Sequence, residues 1–175
     1  AEFDALLASA TNWERVPDFH AGRVRFDLDR MREYVARLSH PERASPVVHV
    51  TGTKGKGPVA TLVARVLSKV GCTTGLHVSP HLHRMEERVS VDGEPIDEAS
   101  LLAATNSVLD AAHRAPVLGF PTYFELMTLV AFLHFAARRC AFAVHEVGMG
   151  GTLDATNVVA PAATCLTNVA LEHAA

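Results

Sequence analysis

The sequence predicts an α/β fold in which helices flank a mostly parallel sheet. Short apolar, β-branched runs, such as VVHVT from Val47, are typical of strands that are buried on both faces. Longer segments between these runs place apolar residues three and four positions apart, which is the spacing of an amphipathic helix. A glycine-rich turn, TGTKGKG from Thr51, joins one strand directly to one helix. Such alternation of strands and helices indicates parallel pairing with right-handed crossovers.

The first predicted elements surround the glycine-rich turn. We expect a helix over 26–38, with Asp27 or Asp29 as its cap, followed by the strand VVHVT. After the turn, six apolar residues at helical spacing predict a helix over about 56–70, and Gly71 is a typical residue to end it.

The middle of the chain predicts a strand and a hairpin. TTGLHV is a short apolar strand that leads into the tripeptide SPH. RVSVDGEPI alternates apolar and polar residues around Asp92 and Gly93, a strong two-residue hairpin turn. We expect this hairpin to project from the fold.

Two more helices and two more strands complete the pattern. DEASLLAATNSVLDAAHR is helical by spacing, and so is PTYFELMTLVAFLHFAARR, which opens with Pro121 and a capping box of Thr122 and Glu125. CAFAVHEV and AATCLTNV are predicted to be buried strands, joined by the loop GMGGTLDATN. The chain stops two residues after His173, close behind a strand, so we expect one domain over 1–175 that is part of a longer polypeptide.

Composition predicts a globular domain and argues against several partners. The chain has 175 residues, of which 49% are hydrophobic, so it can bury a core. Its net charge of −3 provides no electrostatic footprint for nucleic acid or anionic lipid. We find no signal peptide and no apolar run long enough to cross a bilayer. Cys72, Cys140 and Cys165 are odd in number and lack metal-binding spacing, which predicts buried thiols and a cytoplasmic location.

The predicted site lies at the carboxyl ends of the strands, where ligands bind in open α/β sheets. The segments TGTKGKG, SPH, EVGMGG and NVALEH each follow a strand and should converge there. Glycines at the turn allow backbone N–H groups to approach phosphate oxygens, and a lysine adds positive charge. The sequence therefore predicts a nucleotide-binding loop at Thr51, Gly52, Thr53, Lys54, Gly55, Lys56, Gly57 and Pro58. For Lys54, the alternative to a phosphate contact is a solvated lysine on the loop.

Pro58 stands where a phosphate-binding loop normally carries a serine or threonine. Proline is compatible with the first turn of a helix, because the N–H it lacks has no partner within the helix. It cannot supply the hydroxyl that binds Mg²⁺ in such loops, and Thr61 lies almost one turn further on. Ser79, Glu146 and His173 sit at or just beyond strand ends and offer oxygen and nitrogen ligands to a metal. We expect Glu146 to be the main Mg²⁺ anchor.

Five segments in order carry a family resemblance. They are HVTGTKGKG, TGLHVSPHLHRMEERVSVDGEPI, PTYFELMTLVAFLHFA, HEVGMGGTLDATNVV and LTNVALEH. Together they resemble the folylpolyglutamate synthase and dihydrofolate synthase family of the Mur ligase superfamily, over roughly 26–173. The resemblance implies a Mur-ligase-like central domain with a phosphate-binding loop. It also implies an ATP-dependent and Mg²⁺-dependent amide ligase that joins L-glutamate to folate or dihydropteroate through an acyl phosphate.

The resemblance also implies roles for individual residues. Lys56, Glu146 and His173 match catalytic positions, and Ser79, Glu146 and His173 match the family's metal ligands. The expected substrate-binding residues are Ser79, Pro80, His81, Arg88, Thr122, Phe124, Asp154 and Ala155, of which the last four match a pterin pocket.

Several of these residues have a local explanation as well. Thr122 is also explained as a helix cap, and Phe124 is also explained as an aromatic residue of the hydrophobic core. Asp154 could instead hold its own loop through hydrogen bonds to the backbone, and Arg88 could be a solvated charge on the hairpin.

Two departures from the family pattern keep alternatives open. Pro58 replaces the usual Ser or Thr, and Glu172 stands where Asp commonly precedes the histidine. The family's C-terminal, glutamate-binding domain is absent from this sequence. A non-catalytic nucleotide-binding module is therefore a second hypothesis, and a related ligase acting on another carboxylate is a third. The sequence does not predict the oligomeric state.

Overall fold

The computed structural model describes residues 28–170 and has the predicted α/β architecture. The helices are α1 (Asp29–Arg37), α2 (Lys56–Lys69), α3 (Glu98–His113) and α4 (Tyr123–Ala137). The strands are β1 (Val47–Thr51), β2 (Thr74–His77), β3 (Val89–Val91), β4 (Glu94–Pro95), β5 (Phe142–Glu146) and β6 (Ala163–Leu166).

The described strands form one six-stranded sheet in the order β4-β3-β2-β5-β1-β6. β5 pairs in parallel with both β1 and β2, and β6 pairs in parallel with β1. Because the four parallel strands point the same way, their carboxyl ends lie at one edge. The loops that follow β1, β2, β5 and β6 therefore leave the sheet together, as the sequence predicted.

The hairpin of β3 and β4 extends the sheet, so the prediction that it projects from the fold is wrong. β3 runs antiparallel to β2, with Val91 opposite Gly75 and Val89 opposite His77. Both valines are buried in the main apolar cluster. Leaving them exposed would forgo roughly 1.5 kcal/mol or more for each side chain, which explains why the hairpin lies along the edge of the sheet.

The two faces of the sheet are covered differently. On one face, α4 is buried on nearly every side, with α3 and α1 packed around it. On the other face α2 packs through Ala60 and Ala64 against Val50 and Val144. Two alanines at a spacing of four residues let the helix approach the strands closely, which fixes the first turn of α2 above the end of β1.

Some predicted burial does not occur among the described residues. Leu62 and Val66 of α2 are exposed, as is Val70 just after the helix, and β6 is largely exposed, including Leu166 at 60%. β6 was predicted to be buried, but it is an edge strand that pairs only with β1 in this part of the chain. Of the three cysteines, all of which are free, only Cys140 is buried; the other two are half-buried.

The start of α1 also differs from the prediction. The helix begins at Asp29, with Leu28 in the capping position, and no side chain caps it. Asp27 and Phe26 lie outside the described residues. None of the helices within 28–170 combines the length and apolar character needed to cross a bilayer.

Candidate nucleotide-binding site

A tight glycine turn connects β1 to α2. Gly52 and Gly55 have φ values of +135° and +81°, which side-chain-bearing residues rarely adopt. Gly55 occupies the capping position of α2, so the loop leads directly into the N-terminus of that helix, where N–H groups lack partners within the helix. A Cβ on Gly52 would overlap the side chain of Thr167. The turn therefore has the glycine conformation that lets the backbone approach a phosphate closely.

Lys56 lies over this turn. Its Nζ donates a hydrogen bond to the carbonyl oxygen of Gly52 at 2.9 Å and lies 3.4 Å from the carbonyl oxygen of Thr53. The ammonium group is therefore held at the loop and does not extend into solvent. This arrangement puts the positive charge of Lys56 next to the N-terminus of α2. The lysine charge and the helix dipole both favour an anion at this position.

The segment that follows β6 supports the turn from the outside. The backbone N–H of Thr53 donates to the carbonyl oxygen of Asn168 at 3.1 Å, and that of Lys54 donates to Asn168 Oδ1 at 3.0 Å. The Thr167 hydroxyl donates to the carbonyl oxygen of Lys54 at 2.8 Å. Thr167 and Asn168 were missed by the sequence analysis as individual residues, although their place just after a strand was a signal.

Glu146 ends β5 and is the central carboxylate of the site. It is 4% exposed, and its Oε2 accepts the backbone N–H of Ser79 at 2.9 Å. A Cβ on Gly57 would lie 3.4 Å from the same oxygen, so the first turn of α2 faces the carboxylate. Burial raises the pKa of Glu146, opposed by the Ser79 hydrogen bond and by the positive charge of Lys56. A cation at this point would favour the ionised carboxylate.

The residues at this position suit Mg²⁺ in their chemistry. The backbone of Ser79, a hydroxyl-bearing residue, contacts the carboxylate of Glu146, and Mg²⁺ prefers oxygen ligands while keeping several waters. Within residues 28–170 there is no cluster of three or more His, Cys, Asp or Glu side chains that could hold a metal alone. His173, the third predicted ligand, and Glu172 lie outside the described residues.

The chain continues from Ser79 through a cis peptide bond to Pro80 and then to His81. Arg88 Nε donates to His81 Nδ1 at 2.8 Å, and its guanidinium carbon lies 4.9 Å from the centre of the Tyr123 ring. Arg88 is 1% exposed. The alternative that Arg88 is a solvated hairpin charge is therefore wrong, because the ring and the imidazole enclose it.

The start of α4 lies beside the loop after β5. The predicted capping box is present: the Thr122 hydroxyl accepts the N–H of Glu125, and Glu125 accepts the N–H of Thr122 at 2.7 Å. A Cβ on Gly148 would come within 2.6 Å of Phe124 Cζ. Gly148 therefore allows the Phe124 ring to rest directly on the loop backbone.

Asp154 braces that loop. Its Oδ2 accepts the N–H of Met149 at 2.8 Å, and its Oδ1 accepts the N–H and the hydroxyl of Thr156 at 3.0 and 2.5 Å. Burial raises the pKa of Asp154, opposed chiefly by the Thr156 hydroxyl. Both carboxylate oxygens are engaged inside the loop, which is the bracing role that the sequence left open. Ala155, the next residue, is buried in the main core.

The described residues of the predicted phosphate and metal positions meet at one edge of the sheet. Gly57, Ser79 and Glu146 are neighbours, and Lys56 is close enough to affect the pKa of Glu146. The loop after β5 joins them, since a Cβ on Gly151 would lie 3.6 Å from Thr51 Oγ1. A parallel sheet with a glycine loop, a lysine and a buried carboxylate at its carboxyl edge defines the class of nucleotide-binding α/β domains with a phosphate-binding loop.

Comparisons with known proteins identify the family. The chain is 38% identical over 160 residues to the dihydrofolate synthase/folylpolyglutamate synthase of Bacillus subtilis, covering 87% of this chain and 37% of that protein. It is 39% identical over 150 residues to the folylpolyglutamate synthase of Lacticaseibacillus casei, covering 84% and 35%. A solved folylpolyglutamate synthase complex with AMPPCP and folate superposes with a TM-score of 0.85 at 38% identity, covering 99% and 41%. No protein-family model matches the chain.

The chain belongs to the folylpolyglutamate synthase and dihydrofolate synthase family. It spans little more than a third of the length of these two relatives. The fold of the described part agrees with the solved member of the family, including the mostly parallel sheet flanked by helices.

Proposed function

We propose that this chain is the ATP-binding part of an ATP-dependent ligase that adds L-glutamate to the carboxylate of folate or dihydropteroate. One observation carries the proposal: the glycine turn with Lys56 lies beside a buried Glu146 that is hydrogen-bonded to Ser79. The relative that binds AMPPCP and folate gives independent support. We place the glutamate-binding domain outside this chain and the protein in the cytoplasm, in keeping with its three free cysteines.

The chemistry has two steps. In the first, a carboxylate oxygen of the folate-type substrate attacks the γ-phosphorus of ATP; an O–P bond forms, and the bond to ADP breaks. In the second, the amine of glutamate attacks the acyl carbon, phosphate leaves with the bonding electrons, and the amine loses a proton. Negative charge builds up on the transferred group in the first step. The positive charge of Lys56 and the N-terminus of α2 at the loop would stabilise that charge.

Mg²⁺ would be held by Ser79 and Glu146, with His173 as the further proposed ligand. When bound, it supplies positive charge that neutralises the phosphate oxygens. The residues of this chain do the remaining work. Gly57 leaves space between α2 and the carboxylate, and the hydrogen bond from Ser79 orients Glu146.

The folate-type substrate would lie between the loop after β2 and the start of α4. The buried cation of Arg88 suits an anionic ligand, with Ser79, Pro80 and His81 lining the same loop. Phe124 offers an aromatic surface to a flat pterin ring, next to Thr122. Asp154 and Ala155 would shape the wall of this pocket by holding the loop after β5.

The test uses the full reading frame that contains this chain. We expect ADP release that requires Mg²⁺, glutamate and either dihydropteroate or a reduced folate together. A Lys56→Met variant should lose this release, because it removes the charge at the loop. ADP release that does not depend on any folate-type carboxylate would contradict the proposal and favour a ligase for another carboxylate.

A non-catalytic nucleotide-binding module is the second candidate, and Pro58 is the observation that favours it. Proline supplies neither a hydroxyl nor an N–H at the first turn of α2. The same assay separates the candidates. ATP binding in equilibrium dialysis without any ADP release would support the non-catalytic module.

A further inference from the structure

The loop between β2 and β3, residues 79–88, carries half of the proposed substrate-binding residues. We call it the substrate loop. It includes a short helical turn, Met85–Arg88, immediately before β3. Most of it is irregular, and side-chain contacts add to the few backbone hydrogen bonds that hold it.

Glu87 makes most of the described contacts that fix the middle of the substrate loop. Its Oε2 accepts the backbone N–H of Leu82 at 2.9 Å, and its Oε1 accepts that of Arg84 at 3.0 Å. The N–H of His83 lies 3.3 Å from both oxygens. One carboxylate therefore holds three consecutive amides, and these bonds bend the chain back toward its own helical turn.

Arg88, the next residue, holds the other part of the loop. Its contact with His81 lies one residue before the three amides that Glu87 binds. Adjacent side chains thus fix adjacent parts of the loop: Glu87 fixes residues 82–84, and Arg88 fixes residue 81. If the amides at 82–84 were released, the backbone on one side of His81 would lose its anchor.

We propose that Glu87 is a positioning residue for the carboxylate-bearing substrate. By holding the amides of residues 82–84, it keeps the His81 imidazole hydrogen-bonded to the buried, positively charged guanidinium of Arg88, and so holds His81 in a preformed position for the substrate. The inference rests on the proposed function. Glu87 contacts no reacting group, and its effect is transmitted through His81 and Arg88.

The charge of Glu87 suits this role. The backbone hydrogen bond from Leu82, with those from Arg84 and His83, lowers the pKa of Glu87, so the side chain remains an acceptor at neutral pH. Glutamine has the same shape but only one acceptor oxygen, and its amide group would direct N–H toward a backbone N–H. The substitution Glu87→Gln therefore removes the contacts of one carboxylate oxygen without removing volume.

The experiment compares Glu87→Gln with Glu86→Gln in the full reading frame. Glu86 is the matched control, since its carboxylate binds the exposed side chain of Arg84 at 2.8 Å. For Glu87→Gln we expect KM for the folate-type substrate to rise about tenfold, the effect of losing roughly one hydrogen bond. KM for ATP and kcat should stay unchanged. Glu86→Gln should alter none of these constants, and Glu87→Asp should restore part of the substrate affinity.

Hydrogen exchange of the amides at residues 82–84 provides a readout that does not depend on turnover. We expect faster exchange in Glu87→Gln only. Faster exchange in Glu87→Gln with an unchanged KM would overturn the positioning role. The proposed function would still stand in that case, provided that the unaltered protein is active. Unchanged exchange would show that Glu87 does not hold the loop. A complete lack of ligase activity in the unaltered protein would overturn the proposed function itself, and the inference with it.

Discussion

The carboxylate of Glu146 accepts the backbone N–H of Ser79, although the two residues are 67 positions apart in the chain. This hydrogen bond joins the carboxyl ends of β5 and β2 directly behind the first turn of α2. It orients the buried carboxylate that faces the glycine turn and brings a hydroxyl-bearing residue next to it. The proposed metal position therefore depends on the pairing of two strands as well as on the residues themselves.

The first prediction concerns Glu146. In the full reading frame, Glu146→Gln should reduce Mg²⁺-dependent turnover by about 100-fold or more, because it removes the charged metal anchor from a buried site. The protein should still fold, since the amide oxygen can accept the N–H of Ser79. Steady-state rates across a Mg²⁺ titration measure the effect. Glu98→Gln, at the exposed start of α3, is the control, and full turnover by Glu146→Gln would remove Glu146 from the metal site.

The second prediction concerns Pro58. Pro58→Ser should increase Mg·ATP affinity, because it introduces a hydroxyl at the position that binds the metal in related loops. Pro58→Ala separates the two effects of the change, as it introduces the N–H without the hydroxyl. Calorimetric titration should show that Pro58→Ser binds Mg·ATP more tightly than Pro58→Ala does. The affinity of Pro58→Ala should be equal to or higher than that of the original protein. Equal affinities for all three proteins would mean that position 58 does not contact the metal.

The third prediction concerns acid stability. His77 and His145 are fully buried, and neither ring has a hydrogen-bond partner within residues 28–170. Burial lowers the pKa of His77 to about 3 and that of His145 well below its usual value. Above about pH 6.5 both residues are neutral in the folded and unfolded states, so they add no pH dependence. Below about pH 6.5 the unfolded chain binds protons that the folded chain does not. Near pH 5 this lowers the free energy of unfolding by about 2 kcal/mol for His77 alone.

Urea unfolding of this chain between pH 8 and 5 measures that fall in stability. His77→Leu should reduce the fall, and at pH 8 it should be as stable as the original or more so, because it replaces an unpaired polar ring. His113→Leu, at the exposed end of α3, should leave the fall in place. The same pH dependence in His77→Leu as in the original chain would show that His77 is not the titrating group.

The fourth prediction concerns the anchor between α1 and α4. Arg30 binds Glu125 through three contacts of 2.7 to 3.1 Å, and Glu125 also caps α4. Glu125→Ala should lower the free energy of unfolding by about 2 kcal/mol, because it removes a capping interaction and a charged hydrogen bond together. Glu33→Ala breaks the exposed pair of Glu33 with Arg37 and should cost no more than about 0.5 kcal/mol. Similar losses in both variants, measured by urea unfolding, would contradict this account.

Local signals predicted α2 and α4 well. The glycine turn fixes where α2 begins, and the capping box formed by Thr122 and Glu125 fixes where α4 begins. Both depend on residues close together in sequence. The convergence of Lys56 and Glu146 was also predictable, because parallel strands bring their carboxyl ends to one edge.

Other features depend on partners that are distant in sequence. The turn at Asp92 and Gly93 predicts a hairpin, but it does not say that β3 pairs with β2. A charged Arg88 in a hairpin segment suggests exposure, and only its contacts with His81 and Tyr123 show that it is buried. The apolar run of β6 suggests burial, yet an edge position in the described sheet leaves it largely exposed.

The order β2-β5-β1 has a consequence for folding. β5 occupies the position between β1 and β2, yet it is the last of the three to leave the ribosome. Until Phe142–Glu146 has been synthesised, β1 and β2 lack the neighbour that joins them. The glycine turn therefore cannot be joined by Glu146, or lie at the edge of a complete sheet, during the early part of translation. Folding is then expected to wait for contacts between residues far apart in sequence, which are slow to form.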